Sequence, residues 1–178
     1  KFTTAMQQVL RRTRRMRCAA RCACARACAA AYKCVRTCAQ CKPMRELDVF
    51  VHDVGMITAG KSCLVHAASG VIGQLLVQMA AGLGATVHAT ASTPDKADVA
   101  RRRGASFVWD YAAFAARVRD ATEGRGVDVV FDAIGKDTLR ESFKATRTRG
   151  LVVNHGAVSG AIRDLDPLEL GEAGSLFL

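Results

Sequence analysis

Along residues 60–153 the apolar positions alternate between short runs of strand length and longer stretches with helical spacing. A short apolar run predicts a buried strand, and an apolar face that recurs every three or four residues predicts an amphipathic helix. The predicted strands lie at residues 63–67, 86–90, 106–109, 127–131 and 150–153. The predicted helices lie between them, at residues 71–83, 93–103, 111–122 and 137–146.

Residues at the helix ends support these assignments. Gly84 and Gly104 directly follow the first two predicted helices, where glycine commonly ends a helix. Thr93 and Pro94 supply a side-chain cap and a first-turn proline for the second helix. Strands that alternate with helices imply parallel pairing through helical crossovers. The sequence therefore predicts an α/β fold, a Rossmann-type doubly wound parallel sheet.

Charge and cysteine divide the chain of 178 residues into two unlike parts. Residues 1–45 hold 12 of the 26 basic residues and no acidic residue, whereas residues 46–178 hold 14 basic and 16 acidic residues. Seven of the eight cysteines also lie in the first part. This division excludes a uniformly basic nucleic-acid-binding domain and a small disulfide-linked scaffold. We expect a basic Cys/Arg/Ala-rich segment over residues 1–45 and a Rossmann domain over residues 46–178.

Three interpretations of residues 1–45 compete, and in each the segment is predicted to be helical because alanine and arginine favour helices. A thiolate metal site could use four cysteines, but their spacing matches no standard zinc or iron–sulfur pattern: Cys28, Cys34, Cys38 and Cys41. A basic arm for nucleic acid or an acidic membrane is compatible with the charge but has few aromatic residues for base stacking. We favour a truncated or misread gene product without a selected function, and expect no metal site.

No run of about 18 apolar residues, the length that crosses a membrane, occurs in the sequence. The basic N-terminus lacks the apolar core of a secretory signal. It is rich in arginine and free of acid like a mitochondrial transit peptide, but it contains no serine. We therefore expect a cytoplasmic protein whose thiols stay reduced.

A glycine-rich turn joins the first predicted strand to the first predicted helix. It reads Ala68-Ser-Gly70-Val71-Ile72-Gly73, a dinucleotide fingerprint with alanine in place of the first glycine. Gly70 would allow close approach of a pyrophosphate, and Gly73 would allow close packing of the helix on the strand. The helix N-terminus would offer unpaired N–H groups to the phosphates. We therefore expect a cofactor site at Ala68, Gly70, Val71, Ile72 and Gly73.

The residues after the second predicted strand favour NADPH over NADH. A NAD-binding domain usually carries an acidic residue here, which accepts a hydrogen bond from the ribose 2′-hydroxyl. Ser92 is small and neutral instead, and Lys96, one turn into the next helix, could reach a 2′-phosphate. Tyr111 follows the third strand and could lie beside the adenosine phosphate.

The other polar residues of this segment are interpreted as structural. His66 and His88 lie in or beside predicted strands, and Asp128 and Asp132 flank the fourth strand without a partner for acid–base work. Neither a Gly-x-Ser-x-Gly elbow, a His-Glu-x-x-His motif nor a Tyr-x-x-x-Lys pair occurs. We nominate no catalytic residue and no metal ligand.

The sequence resembles the zinc-independent quinone oxidoreductases, the ζ-crystallin-like branch of the medium-chain dehydrogenase/reductase superfamily. Residues 65–80 carry the resemblance, reading Val-His-Ala-Ala-Ser-Gly-Val-Ile-Gly-Gln-Leu-Leu-Val-Gln-Met-Ala, and so do residues 84–96, 126–132 and 149–153. The resemblance implies hydride transfer from NADPH to a quinone or another conjugated carbonyl, without metal and usually in a homodimer. It implies that Ser92, Lys96 and Tyr111 contact the 2′-phosphate. It places four residues near the nicotinamide: Ile134, Asn154, His155 and Gly156.

The chain departs from the family pattern at two positions. Val71 stands where the family usually has a second glycine, and Asn154–His155 stand where it usually has Ser-Phe. The family also carries a β-rich domain before this segment and continues beyond it. We therefore expect mainly the cofactor-binding domain, truncated at its C-terminal end and inactive toward quinone by itself.

Two alternatives remain to the quinone oxidoreductase. One is another medium-chain reductase or alcohol dehydrogenase-like enzyme. The other is a non-catalytic binding module with a basic metal- or RNA-binding arm. We expect no membrane partner, and nucleic acid is not the favoured partner.

Overall fold

The computed structural model describes residues 47–178, so the predictions for residues 1–45 lie outside the described residues. A π-helical turn at Val49–Val54 leads into the first strand. The elements then follow in the order β1 Ser62–Val65, α1 Val71–Gly82, β2 Thr86–Thr90, α2 Pro94–Arg103, β3 Phe107–Trp109, α3 Phe114–Ala121, β4 Val127–Asp132, α4 Leu139–Ala145, β5 Thr146–Asn154 and α5 Leu168–Glu172. No helix in this part of the chain is long and apolar enough to cross a bilayer.

The five strands form one sheet, paired in parallel throughout, in the order β3-β2-β1-β4-β5. The chain builds outward from β1 to β3 and then returns to add β4 and β5 on the other side of β1. Strands β1 and β4 are thus neighbours at the point where the strand order reverses. In open α/β sheets, ligands bind beyond the carboxyl ends of the strands at such a point. The predicted Rossmann-type doubly wound sheet is confirmed.

One apolar core lies on each face of the sheet. Helices α1 and α2 pack on one face, where Leu76 meets the cluster that contains Val65 and Phe131. Helices α3 and α4 pack on the other, in a cluster that contains Leu64 and Val130. Because alternate residues of a strand face opposite sides, strands covered on both faces are apolar almost without a break. Every residue of β1 and β4 is buried accordingly.

The ends of α2 agree with the sequence prediction. The Lys96 amide donates to Thr93 Oγ1 at 3.4 Å, and Pro94 occupies the first turn. Gly104 ends the helix with a φ of +109°, in the left-handed region that glycine adopts without strain.

Two predicted starts differ from the structure by three residues or more. Helix α3 begins at Phe114 instead of residue 111, because Asp110 Oδ1 accepts from the amides of Ala112 and Ala113 at 3.0 and 3.3 Å and keeps these residues in a turn. Strand β5 begins at Thr146 instead of residue 150. Thr146 pairs with Val127, and the pairing then shifts register before Val129, an irregularity that periodicity alone does not reveal.

Candidate functional site

The turn between β1 and α1 brings backbone segments closer together than a side chain would permit. A Cβ on Gly73 would lie 2.3 Å from the Ala67 carbonyl oxygen and 2.7 Å from Ala68 Cα. Helix α1 therefore packs on the end of β1 at a distance that requires glycine, as predicted for the third glycine of the fingerprint. The left-handed residue of the turn is Ala67, with a φ of +49°, whereas Ala68, at the position of the first glycine, is fully buried.

The N-terminus of α1 faces the same turn without a side-chain cap. Gly70 precedes the helix in an extended conformation, and no side chain bonds to the first amides. The amides of Val71, Ile72 and Gly73 belong to the first helical turn, which has no intrahelical acceptors and carries the positive end of the helix dipole. The Val71 side chain is 75% exposed, so it projects outward and does not fill the turn. This arrangement suits a phosphate group.

A cleft of about 440 Å³ opens beside the glycine turn, at the carboxyl ends of the strands. Ten residues line it: Ala67, Ser69, Ala91, Ser92, Lys96, Tyr111, Ile134, Asp137, Thr138 and Val158. The structure thus brings together four residues that the sequence places in the cofactor site: Ser92, Lys96, Tyr111 and Ile134. The other six are not among the predicted site residues, although Ser69 occupies a variable position of the fingerprint.

Ser92 and Lys96 form a pair at one end of the cleft. The Lys96 ammonium donates to Ser92 Oγ at 3.0 Å, and both side chains are exposed. The cap by Thr93 fixes the start of α2 and so places Lys96 one turn above the end of β2. An ammonium and a hydroxyl that share one hydrogen bond can both turn to a phosphate oxygen.

Tyr111 connects the end of β3 to the glycine turn. The Ala67 amide donates to its hydroxyl oxygen at 3.0 Å, and its ring stacks on that of His66 with a centroid distance of 6.0 Å. The prediction placed Tyr111 beside an adenosine phosphate. In the structure it forms part of the cleft wall, attached to the turn at which a pyrophosphate would bind.

Asp132, the last residue of β4, organises the opposite wall of the cleft. Its Oδ1 accepts from the amides of Ile134 and Gly135 at 2.8 and 3.0 Å. The hydroxyls of Thr138 and Ser142 donate to the same carboxylate at 2.9 and 3.0 Å. All four donors lie in the loop after β4 or in α4. The buried carboxylate therefore shapes the loop that carries Ile134 and Thr138 into the cleft.

Both strand histidines are buried, as expected for structural residues. His66 bonds through Nδ1 to Thr90 Oγ1 and through Nε2 to Ser142 Oγ, both at 2.9 Å. His88 accepts from Trp109 Nε1 at 3.3 Å. Burial lowers the pKa of each imidazole to about 4, so both rings are neutral at pH 7.

Asn154 ends β5, and His155 and Gly156 follow it next to the loop after β4, but none of the three lines the cleft. The His155 amide donates to the Asp132 carbonyl at 2.9 Å. A Cβ on Gly156 would lie 2.5 Å from the Ala133 carbonyl oxygen, so the two strand ends meet closely there. Burial lowers the pKa of His155, whose ring lies 5.3 Å from that of Phe50. The structure thus separates these three residues from the Lys96 end of the site.

Comparison with known proteins identifies this arrangement. Residues 71–173, more than half of the chain, match the family model described as zinc-binding dehydrogenase. The chain belongs to the zinc-binding dehydrogenase family. The match begins at the first residue of α1 and includes the cleft residues from Ala91 to Val158.

Individual members of the family show closer similarities. The chain is 43% identical over 131 residues to a 2-haloacrylate reductase from Burkholderia sp, covering 72% of this chain and 39% of that protein. It is 37% identical over 124 residues to a quinone oxidoreductase from Pseudomonas aeruginosa, covering 68% and 38%. A crystal structure of Escherichia coli quinone oxidoreductase complexed with NADPH superposes with a TM-score of 0.73 at 32% identity, over 76% of this chain and 42% of that one. The resemblance to quinone oxidoreductases is confirmed. The chain spans about two fifths of the length of these relatives.

The family name refers to zinc, so we searched the described residues for groups of metal-ligating side chains. Within residues 47–178, no three side chains of His, Cys, Asp or Glu come together as possible ligands of one ion. Cys63 is buried in β1, and burial raises the pKa of its thiol to about 12.

Residues 55–62 also spell the P-loop pattern Gly-x-x-x-x-Gly-Lys-Ser. A P-loop follows a strand and opens a helix. Here the pattern follows the π-helical turn and ends at the first residue of β1, and Ser62 Oγ bonds to Asp128 at 3.2 Å. The structural context of a phosphate loop is therefore absent from these residues, which form the entry into the sheet.

Proposed function

We propose that this chain binds NADPH in the cleft at the carboxyl ends of its strands. The observation that carries the proposal is the Lys96–Ser92 pair at the end of β2, in the same cleft as Tyr111 and the glycine turn. A lysine beside a hydroxyl favours a 2′-phosphate, whereas a carboxylate would favour the free 2′-hydroxyl of NADH.

The remaining predicted residues receive roles along the cofactor. The amides at the start of α1 would donate hydrogen bonds to the pyrophosphate. Gly70 and Gly73 would permit its approach, and Ala68, Val71 and Ile72 would complete the turn. Tyr111 would form the wall beside the adenosine. Ile134, Asn154, His155 and Gly156 would lie toward the nicotinamide, in the loops after β4 and β5. The complex of the Escherichia coli quinone oxidoreductase with NADPH supports this assignment of the ligand.

The reaction that we propose is NADPH-dependent reduction of a quinone or another conjugated carbonyl. The cofactor would supply the hydride, and the described residues would bind and orient it. Two relatives support the substrate class, because one is named a quinone oxidoreductase and the other a reductase of a 2-haloacrylate, whose double bond is conjugated to a carboxyl group. Since the chain spans about two fifths of their length, we propose that it contributes the cofactor-binding part of such an enzyme.

Calorimetric titration of the 178-residue chain with NADPH and NADH tests the proposal. We expect tighter binding of NADPH, and a loss of about tenfold or more in NADPH affinity in Lys96→Ala, because a charge-assisted hydrogen bond contributes about 1.5–3 kcal/mol. NADH affinity should stay the same. Lys144→Ala is the control, since it removes the same charge from the exposed surface of α4. Equal affinity for the two cofactors, or an equal effect of both variants, would contradict the proposal.

We further propose a cytoplasmic, metal-independent homodimer, as the resemblance implies. Ultracentrifugation would test the dimer, and retention of cofactor binding in a chelator would test metal independence.

The binding-module alternative makes a different prediction, namely salt-sensitive retention on RNA that disappears when residues 1–45 are deleted. A steady oxidation of NADPH by this chain with a simple quinone would show that it also holds the substrate site.

A further inference from the structure

His66 directly precedes the lining residue Ala67 and contacts the lining residue Tyr111. It follows β1, and its ring stacks on Tyr111 at 6.0 Å and packs edge-on against Phe114 at 4.7 Å. Its two nitrogens bond to Thr90, at the end of β2, and to Ser142, in α4. Thr90 directly precedes the lining residue Ala91, and the helix that carries Ser142 directly follows the lining residue Thr138.

The direction of these hydrogen bonds follows from the donors available. A carboxylate only accepts, so the single hydroxyl proton of Ser142 goes to Asp132 Oδ2. Ser142 Oγ must therefore accept from His66 Nε2, which places the imidazole proton on that nitrogen. His66 Nδ1 then accepts from the Thr90 hydroxyl. A neutral imidazole with one donor and one acceptor satisfies both partners, in agreement with a pKa of about 4.

Hydrogen bonds and one ring contact connect Tyr111 on one wall of the cleft to the loop after β4 on the other. On one side, Tyr111 stacks on His66 and accepts from the Ala67 amide. On the other side, the Ser142 hydroxyl donates to Asp132, which accepts from the amides of Ile134 and Gly135. Besides Tyr111, two titratable groups act electrostatically on His66, namely Asp132 at the end of β4 and His155 after β5.

We propose that His66 is a positioning residue that couples the glycine turn and Tyr111 on one wall of the cleft to the loop after β4 on the other. This inference rests on the proposed function, and it predicts that loss of His66 lowers the affinity for NADPH and for NADH alike. Loss of Lys96 differs, because Lys96 is proposed to contact only the 2′-phosphate of NADPH, and its loss should leave the affinity for NADH unchanged.

The chain offers a matched control in His88. Both histidines are 1% exposed, and burial lowers the pKa of both to about 4. His66 directly follows β1, and His88 lies in the neighbouring strand β2. His88, however, bonds to Trp109 and packs against Phe107 at the sheet edge, and it is not among the cleft-lining residues. His66→Asn and His88→Asn therefore perturb burial similarly and the cleft differently.

Amide hydrogen exchange of the ligand-free protein, resolved by residue, tests the coupling itself. In His66→Asn we expect exchange of the Ala67, Ile134 and Gly135 amides to accelerate about tenfold more than in His88→Asn, because a link between the walls is lost. Titration calorimetry should show affinities for both cofactors lowered by about tenfold in His66→Asn and unchanged in His88→Asn. Equal exchange at these three amides in the two variants would overturn the proposal.

A second variant covers the case in which His66→Asn does not fold. Ser142→Ala removes only the hydroxyl that joins His66 to Asp132, and alanine suits a helix. We expect the same faster exchange at Ile134 and Gly135. Imidazole nitrogen resonances of His66 should also move from the Nε2-protonated form to the Nδ1-protonated form, because Thr90 can accept as well as donate. An unchanged tautomer with unchanged exchange would contradict the coupling. Should the unaltered chain bind neither cofactor, the proposed function fails, whereas the exchange comparison still decides the role of His66.

Discussion

The two ends of β4 carry the same residue in opposite surroundings. Asp128, near the amino end, is 6% exposed and bonds to Arg125 at 2.6 Å, to Arg147 at 2.7 Å and to the Ser62 amide at 2.9 Å. Asp132, at the carboxyl end, is fully buried and bonds to two amides and two hydroxyls. One carboxylate is neutralised by cations, whereas the other is satisfied by uncharged donors.

The difference corresponds to what each end of the sheet does. At the amino end the ion pairs join β4 to Arg147 of β5 and to Arg125 in the preceding loop, and hydrogen bonds from Ser62 join it to β1. Burial raises the pKa of Asp128, but the Ser62 amide and the guanidiniums of Arg147 and Arg125 outweigh it, so the net pKa is lowered. At the carboxyl end, uncharged donors let a buried carboxylate organise a loop without adding a cation that would compete for the phosphates of a ligand.

The largest effect should come from removing Asp132. Asp132→Ala leaves two buried amides and two buried hydroxyls without their acceptor, and we expect a loss of about 4 kcal/mol in the free energy of unfolding. Urea denaturation at pH 7 measures it. Asp132→Asn should lose less, because its amide oxygen can still accept from Ile134 and Gly135. A loss below about 1 kcal/mol in Asp132→Ala would show that these donors find other partners.

Acid should act through the two buried histidines before it acts through Asp128. The pKa values of His66 and His88 fall to about 4 on folding, from an ordinary 6.5, so the unfolded chain binds more protons between these values. The free energy of unfolding therefore decreases as the pH falls below 6.5, by about 2 kcal/mol per histidine at pH 5. The lowered pKa of Asp128 acts later, because its contribution is lost only below the ordinary aspartate value of 3.8.

Urea titrations at pH 7, 6 and 5 check the contribution of the histidines. His66→Asn should remove about 2 kcal/mol of the decrease at pH 5, since asparagine does not titrate. A free energy of unfolding that stays constant from pH 7 to 5 would mean that the buried imidazoles do not resist protonation.

The sequence predicted the strands and helices well because the sheet is covered on both faces. Apolar runs such as residues 127–131 mark buried strands, and local signals such as Thr93 and Gly104 mark helix ends. The prediction for strand β5 starts four residues late, because its first residues read Thr-Arg-Thr-Arg and precede a shift in register. Helix α3 was predicted to start early, because the turn at Asp110 depends on a side-chain geometry that periodicity does not contain.

The candidate site was predicted only in part, for a related reason. Ser92, Lys96 and the glycine turn follow directly from strand ends and motif spacing. Asp137, Thr138 and Val158 enter the cleft because the return of the chain places β4 beside β1, and this neighbourhood is a property of the whole sheet. Asp132 was recognised as a strand-end residue, but its partners lie up to ten residues away on α4, where their orientation decides whether they bond to it.

A smaller loss should follow from Asp128→Ala, at about 1 to 2 kcal/mol. Only the Ser62 amide and hydroxyl lose a buried acceptor, since the side chains of Arg125 and Arg147 are 55% and 33% exposed and can turn to water. Urea denaturation at low and high salt distinguishes the two ends of β4. The loss should shrink at 1 M NaCl in Asp128→Ala, because at roughly 3 Å screening length salt weakens half-exposed ion pairs. It should stay the same in Asp132→Ala.

The smallest effects should come from the two arginines individually. We expect Arg147→Ala to cost more than Arg125→Ala, although both stay below about 1 kcal/mol, because Arg147 is less exposed and also bonds to the Thr148 carbonyl at 2.8 Å. Paired urea denaturation of the single variants and the double variant measures this order. If the double variant loses much more than the sum, each guanidinium compensates for the other, and the amino end of β4 depends on having one cation and not on which arginine supplies it.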